Sequence, residues 1–276
     1  MSGTLYLCAT PIGNLDDFSF RALKTLEAAD LIAAESTEET KKLLHHYNLR
    51  KPLISYYDKG QSESKENQLL DKLKTGASVA LVSSAGTPLI SDPGYRLVKR
   101  CVDEGIAVIP VPGAAACITA LMASGLPPHP FLFTGFLPPK KTERSKYLNT
   151  LRTLPFTLIF YESPHRIHES LQDCLEVFGN RQAVLARELT KVYEEFIRGT
   201  LEKIILRIAD KPVKGELTLL VHGDESAHEI SETQLEEEIL ALLQKGVNAS
   251  TASRELAQKY GLSKNKIYNL AHRLSP

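Results

Sequence analysis

The chain has little that would mark it as secreted, metal-built or membrane-spanning. Its 276 residues hold four cysteines, Cys8, Cys101, Cys117 and Cys174. They are scattered and form no Cys-x-x-Cys pair, which argues against zinc clusters and disulfide frameworks and fits a reducing cytoplasm. No apolar run reaches the ~20 residues that cross a bilayer. Met1-Ser2-Gly3-Thr4 leads straight into an apolar stretch, without the basic and hydrophobic regions of a secretion signal. Net charge is also absent, because 33 Lys+Arg balance 33 Asp+Glu. A whole-surface polycation is thereby excluded, although a local basic patch is not. Known nucleotide and nucleophile signatures are missing too. No Gly-x-Gly-x-x-Gly follows the first strand, no Gly-x-x-x-x-Gly-Lys-Ser/Thr occurs, and Ser83-Ser84 is not a Gly-x-Ser-x-Gly elbow. His45 and His46 are adjacent on an expected helix, point in different directions and have no third ligand nearby.

What is present describes a globular protein. Hydrophobic residues make up 43% and charged residues 24%, which rules out disorder and low complexity. At roughly 150 residues per domain, the length predicts two domains. Apolar stretches at 4–8, 31–34, 52–56, 79–82 and 107–111 alternate with stretches of helical spacing. Such alternation predicts a parallel sheet covered on both faces. Gly125-Leu126-Pro127-Pro128-His129-Pro130 reads as a hinge. Beyond it, expected strands at 131–136, 156–161, 182–187, 192–198 and 216–221 suit a mixed sheet. Residues 224–238 are acidic and polar. Two short helices, 251–260 and 264–274, then flank the turn Gly261-Leu262-Ser263. The expected units are 1–117, 118–224 and a helical C-terminal unit, 225–276.

Three Gly/Pro turns lie just past expected strand ends: Pro11-Ile12-Gly13, Ala85-Gly86-Thr87-Pro88 and Pro112-Gly113-Ala114. Open α/β sheets bind ligands at that edge, and glycine lets a ligand approach the backbone. One such turn needs only loop geometry to explain it. Three on one edge, flanked by small residues, predict a site. Phe160-Tyr161-Glu162-Ser163-Pro164-His165-Arg166 and Ala186-Arg187-Glu188-Leu189-Thr190-Lys191 also gather ionisable groups at strand ends.

These motifs occur in order with Thr10-Pro11-Ile12-Gly13-Asn14-Leu15, Asp92-Pro93-Gly94-Tyr95 and Gly135-Phe136-Leu137-Pro138. Together they span nearly the whole chain and resemble the rRNA-modifying members of the tetrapyrrole methylase family. The resemblance implies a two-domain α/β fold, with a parallel-sheet N-terminal domain and a mixed-sheet second domain. It implies S-adenosylmethionine in the cleft between them, a homodimer, and 2′-O-methylation of a cytidine ribose in the decoding region of 16S rRNA within the small ribosomal subunit. Carried over by motif, the cofactor would be lined by Pro11, Ser84, Ala85, Gly86, Thr87, Pro88, Leu89, Ile90, Pro112, Gly113, Ala114 and Ala115. Tyr161, Leu189, Glu216 and Leu217 would approach from the second domain. The sequence departs from the family at Ser36, Glu38 and Ser84, where Asp, Arg and Asp are usual. All three departures are expected to face the cleft.

Methyl transfer to a hydroxyl needs alignment and a proton acceptor. Candidate bases are Glu162, Glu188, Glu35 and Lys191 as a neutral amine, with Glu188 or Lys191 preferred. Candidate RNA contacts are Arg166, Arg187, the stretch with Lys140, Lys141 and Arg144, and the tail with Lys264, Lys266 and Arg273. On its residues alone the tail reads equally as a solvated helical cap or a helix-turn-helix module; the resemblance favours RNA docking. Two other functions stand beside this one: a corrin or uroporphyrinogen methylase, and a ribosome-binding protein that keeps the fold without turnover.

Overall fold

The structure is a computed structural model. It describes residues 2–57, 62–209, 212–224, 232–260 and 262–274. Five strands, β1 (Thr4–Cys8), β2 (Leu31–Ala34), β3 (Leu53–Ser55), β4 (Val79–Val82) and β5 (Ala107–Val111), form a sheet in the order β3-β2-β4-β1-β5. Every pairing is parallel. The connections are α1 (Phe20–Ala28), α2 (Thr37–His46), α3 (Ser62–Lys74) and α4 (Tyr95–Asp103).

Side-chain alternation explains why these strands read as nearly continuous apolar runs. Leu5, Ala33, Val79 and Leu81 pack against Leu69, Leu70 and Leu73 of α3 and Leu97 and Cys101 of α4. Their neighbours Cys8, Ile32, Ala34, Ala80 and Val82 pack on the opposite face against Ala22 and Leu26 of α1 and Leu44 of α2. Each strand buries both faces, so neither set of positions is polar. The chain steps one way through β1, β2 and β3, then reverses through β4 and β5. That reversal is the topological switch at which open α/β sheets hold ligands.

The second sheet has the order β6-β7-β10-β8-β9, from β6 (Phe131–Phe136), β7 (Thr157–Glu162), β8 (Gln182–Arg187), β9 (Glu195–Thr200) and β10 (Leu217–Val221). Only β6 and β7 pair in parallel. One face carries α6 (Lys141–Leu151), α7 (Ile167–Phe178) and α8 (Leu201–Ile208) over Leu158, Phe160, Leu185, Leu219 and Val221. The other face presents Ile159, Val184, Ala186 and Leu220 to Cys117, Ala120 and Leu121 of α5 (Ala116–Ser124). The expected 117/118 boundary therefore falls inside α5, a helix that packs on the second sheet. The strand expected at 192–198 begins later, at Glu195. Val192 and Tyr193 are exposed in the turn before it.

The tail is a three-helix unit with its own core. Leu235 and Ile239 of α9 (Glu232–Gln244), Leu256 of α10 (Ala249–Tyr260), and Ile267, Leu270 and Ala271 of α11 (Lys264–Leu274) meet there. The acidic stretch at 224–238 thus becomes helix from Glu232, on the helical spacing of Leu235 and Ile239. Its residues 225–231 lie outside the described residues, as does Gly261 of the expected turn.

Arg144 corrects a sequence expectation. Proposed as an RNA contact, it is fully buried. Its Nε donates to Asp173 Oδ2 at 2.6 Å, its Nη2 to Glu169 Oε2 at 3.3 Å, and its Nη1 to the Pro139 carbonyl at 3.1 Å. The guanidinium ties α6 to α7 and to the end of β6, and nothing of it reaches solvent. Removing one partner of a buried pair leaves the other charge uncompensated. Arg144→Ala should therefore cost ~3–5 kcal/mol in urea unfolding, and a loss below ~1 kcal/mol would show that Asp173 finds another partner.

Candidate active site

The three Gly/Pro turns converge through backbone bonds. Thr10 and Gly86 exchange two, at 2.9 and 3.1 Å. Thr87 Oγ1 donates to the Ala114 carbonyl at 2.9 Å. Gly86 has φ +76°, and a Cβ there would stand 3.2 Å from Ile12 Cγ2. A left-handed turn with this clearance is glycine territory.

The second domain closes the other side. Tyr161 OH, from β7, accepts from the Cys117 amide at 3.1 Å. The loop after β8 meets the first turn, where Asn14 N donates to Thr190 Oγ1 at 3.0 Å. A Cβ on Gly13 would lie 2.4 Å from Lys191 Cγ and 2.9 Å from the Leu189 carbonyl. Glu188 and Thr190 hold positive φ, 51° and 64°, a costly conformation for non-glycine residues that the surrounding bonds maintain.

Between the domains lies a cavity of about 410 Å³, within the range of small-molecule sites. Of the expected cofactor positions, Ser84, Ala85, Gly86, Thr87, Ile90, Ala115, Tyr161, Leu189, Glu216 and Leu217 line it. Pro11 instead lines an adjoining cavity of about 390 Å³. Pro88, Leu89, Pro112, Gly113 and Ala114 are not wall residues of the first cavity. Leu89 packs toward the α3/α4 core, and Ala114 packs with α5. The sequence reading of cofactor positions passed over Ile12, Ser91, Asp92, Ala116, Phe136, Ser163, Pro164, Gly215 and Thr218. Ile12, Asp92, Phe136, Ser163 and Pro164 lie inside motifs already noticed, and Ser91, Ala116, Gly215 and Thr218 stand next to named positions, so proximity in sequence was the available signal.

The walls are rich in carboxylates: Glu35, Asp92, Glu162 and Glu216. Glu35 Oε2 accepts from Ser84 N at 2.9 Å and Ser84 Oγ at 2.8 Å. Glu162 Oε1 accepts from Arg166 at 2.8 and 2.5 Å and from Ser163 N at 2.7 Å, while its Oε2 accepts from Ser170 at 2.6 Å. Asp92 is half-buried, and its pKa is pushed up to about 6. Burial is the main cause. A hydrogen bond with Ser83 opposes the shift, and the Glu35 charge adds to it. Burial also raises the Tyr161 phenol, with further contributions from Cys117 and Asp92.

The two preferred bases are engaged with each other. Lys191 Nζ donates to Glu188 Oε1 at 2.8 Å and to Glu216 Oε2 at 2.9 Å. Glu216 N also donates to Glu188 Oε1, at 3.0 Å. The hydrogen bond from Lys191 holds the Glu188 carboxyl below its ordinary range. Burial opposes the Lys191 charge, but its two carboxylate partners outweigh burial and raise its pKa. A neutral Lys191 amine is therefore not what this geometry presents. Lys191 lines the adjoining cavity, beside Pro11 and Ser84.

The other basic candidates divide by exposure. Arg166 is held on Glu162 and on the Leu137 carbonyl at 3.1 Å. Arg187 donates to Glu195 at 3.2 and 3.1 Å. Lys140 and Lys141 are exposed, with Lys140 beside Glu143 and Lys141 near Asp173 and Glu176. Lys264, Lys266 and Arg273 project from α11 into solvent. Of the departures, Ser36 caps α2 by accepting from Glu39 N at 3.3 Å, as an Asp would. Glu38 is exposed in the first turn of α2, where an acid suits the helix dipole, and is on neither cavity wall. Only Ser84 faces the cleft.

A family model described as tetrapyrrole (corrin/porphyrin) methylases matches residues 4–205. A ribosomal RNA small subunit methyltransferase I from Halalkalibacterium halodurans is 48% identical, over 98% of this chain and 95% of its own. One of the same name from Bacillus subtilis is 44% identical, over 98% and 94%. Among solved structures, a cobalt precorrin-4 methyltransferase aligns with TM-score 0.60 at 16% identity, over 79% of this chain and 94% of its own. A uroporphyrin-III C-methyltransferase from Thermus thermophilus, complexed with S-adenyl homocysteine, aligns with TM-score 0.57 at 18% identity, over 80% and 98%. With two domains meeting over a carboxylate-walled cavity and relatives matching nearly end to end, this chain belongs to the tetrapyrrole methylase family, alongside its ribosomal RNA small subunit methyltransferase I members.

Proposed function

We propose that this chain is an S-adenosylmethionine-dependent methyltransferase of small-subunit rRNA, acting on a cytidine 2′-hydroxyl in the decoding region. The observation that carries the reading is the inter-domain cavity at the switch of the first sheet. Its size, apolar walls and acids suit a cofactor that has an aromatic base, a ribose and two cationic centres. Ile12, Leu189, Leu217 and Phe136 offer the apolar contacts, and the Ser84–Thr87 turn offers backbone groups. Glu35, Glu162 and Glu216 offer negative charge. When bound, S-adenosylmethionine supplies a methyl group activated by its sulfonium. The rRNA assignment draws on the names of relatives 42–48% identical over nearly the whole chain.

The protein's part is to align and to exclude water. Tyr161 bonds to α5 and packs its ring edge-on against Phe133 and Phe136, with centroids 4.8 and 5.7 Å away. That fixes the aromatic wall. Glu188 and Lys191 brace the loop after β8 against the segment before β10, which gives them a positioning role. Glu162 does the same for Arg166 and the start of α7. Glu162 has both oxygens engaged, and the Lys191 ammonium is held by two carboxylates. Phosphate contacts fall to exposed cations outside the cavity, chiefly Lys264, Lys266 and Arg273, with Lys140 and Lys141. A homodimer in the cytoplasm completes the proposal.

Purified protein, labelled S-adenosylmethionine and small subunits lacking the modification should yield label on a decoding-region cytidine ribose. Label on a base, or none with cofactor bound, would overturn the assignment. Replacing Lys264, Lys266 and Arg273 together by Gln should weaken subunit binding and flatten its log–log salt slope by about 2, at about 0.7 per single-strand phosphate contact. Cofactor affinity should not move. An unchanged slope would make the tail a solvated cap.

A further inference from the structure

The acids around the cavity are not equivalent. Glu162 has both oxygens occupied, by Arg166, Ser163 N and Ser170. Glu188 and Glu216 share the Lys191 ammonium. Glu35 uses one oxygen for both the amide and the hydroxyl of Ser84. Asp92 forms no ion pair among the described residues and hydrogen-bonds to the neutral hydroxyl of Ser83. The groups that face it are Glu35 from the end of β2 and Tyr161 from β7. Glu162 and Glu216 also line the cavity. The cations nearest those acids, Arg166 and Lys191, are already paired.

The backbone around Asp92 is built at some cost. Leu89 and Ser91, both non-glycine, hold φ of 72° and 69°, and Gly94 follows at 134°. A Cβ on Gly94 would stand 2.8 Å from Leu81 Cδ2, so the loop is pressed onto the sheet. A Cβ on Gly135 would stand 3.1 Å from Ser91 Oγ, so the second domain leaves room for the same loop. Two strained residues in three positions are retained where the surroundings over-determine them, as at functional sites. Here they deliver Asp92 to the cavity wall.

We propose that Asp92 is the proton acceptor of the methyl transfer. The inference rests on the ribose 2′-O reading above. As the 2′-oxygen forms its bond to the methyl carbon, the carbon–sulfur bond breaks and its electron pair goes to sulfur. The 2′-hydroxyl proton goes to the Asp92 carboxylate, which becomes a neutral acid and later releases the proton to water. The sulfonium becomes a thioether, so atoms and charge balance without a further reactant.

Kinetics, calorimetry and thermal stability test this. Asp92→Asn should lower both kcat and the single-turnover rate constant on small subunits by ~100-fold or more, the contribution of a general base. Calorimetry should show unchanged S-adenosylmethionine affinity. The wild-type kcat/KM for S-adenosylmethionine, which reports the cofactor-free enzyme, should rise with pH through about 6 and then level, because the acceptor must be ionised. Ser83→Ala should move that rise to higher pH, because the hydrogen bond that favours the carboxylate is gone. The third readout needs no turnover. An aspartate whose folded pKa is about 6, against 3.8 ordinarily, binds protons more tightly folded than unfolded. The native state therefore loses stability as pH rises between those values, and regains it as pH falls. Asp92→Asn should thus raise Tm above pH 6, with the gain shrinking toward pH 4. A wild-type kcat in Asp92→Asn overturns the proposal. So does a weakened cofactor affinity with kcat kept, which would make Asp92 a cofactor ligand. A Tm gain that ignores pH also overturns it. Wild-type protein that labels a base instead of a ribose overturns the substrate reading, and the proton-acceptor role falls with it.

Discussion

The second sheet has one face that its own helices leave uncovered, and the rest of the molecule is arranged around covering it. Ile159, Val184, Ala186 and Leu220 lie on that face. Burying an Ile, Val or Leu side chain stabilises by roughly 1.5–3 kcal/mol, so leaving the face wet would be costly. Coverage comes from Cys117, Ala120 and Leu121 of α5, and from Ile12 in the first ligand-edge turn. The same apolar contact that buries the sheet thereby brings the switch edge of the first sheet against the strand ends of the second. Gly13 sets how close they come, because any side chain there would collide with Leu189, Thr190 and Lys191. The cavity is the space that remains beside this contact.

Electrostatics divide the surface between two ligands. The cavity is walled by Glu35, Asp92, Glu162 and Glu216, and the nearby cations are tied to carboxylates. Glu35, Glu162 and Glu216 suit a cationic cofactor, and the wall as a whole repels phosphates. A polyanion must therefore be held from outside, where Lys264, Lys266 and Arg273 are exposed on α11 and form no ion pair among the described residues. The formal charge of zero hides this segregation. Ser84 fits the same logic, since it donates to Glu35 where a second acid would stand against it.

Part of the site was legible. Gly86, Thr87 and their neighbours announced themselves as a turn after a buried strand, and turn chemistry is local. Tyr161 and Glu162 announced themselves as polar ends of an apolar run. Asp92 stood out only as part of Asp92-Pro93-Gly94-Tyr95 and not as a site residue, because it lies ten residues past the end of β4 and reaches the wall only through the loop around Leu89 and Ser91. Arg144 misled for a related reason. Its neighbours Lys140, Lys141 and Lys146 make a basic stretch, but Asp173 and Glu169 of α7 come to it only in the fold. Glu188 and Lys191 stand three apart in sequence, yet their dependence on Glu216 appears only when β8 and β10 pair.

The amino-acid order alone determined the layered α/β class, the parallel first sheet, the mixed second sheet and the edge on which ligands sit. These follow from short-range facts: period-two burial, helical spacing, and the backbone freedom of Gly and Pro turns. Tertiary structure decided which charges are free. It buried Arg144, paired Lys191, and left Asp92 in the cleft without a cation partner among the described residues. It also assigned α5 to the second sheet and gave the acidic stretch from Glu232 a helical place in the tail. Partner choice depends on residues far apart in sequence, and a charge takes its role from whichever partner the packing brings within reach.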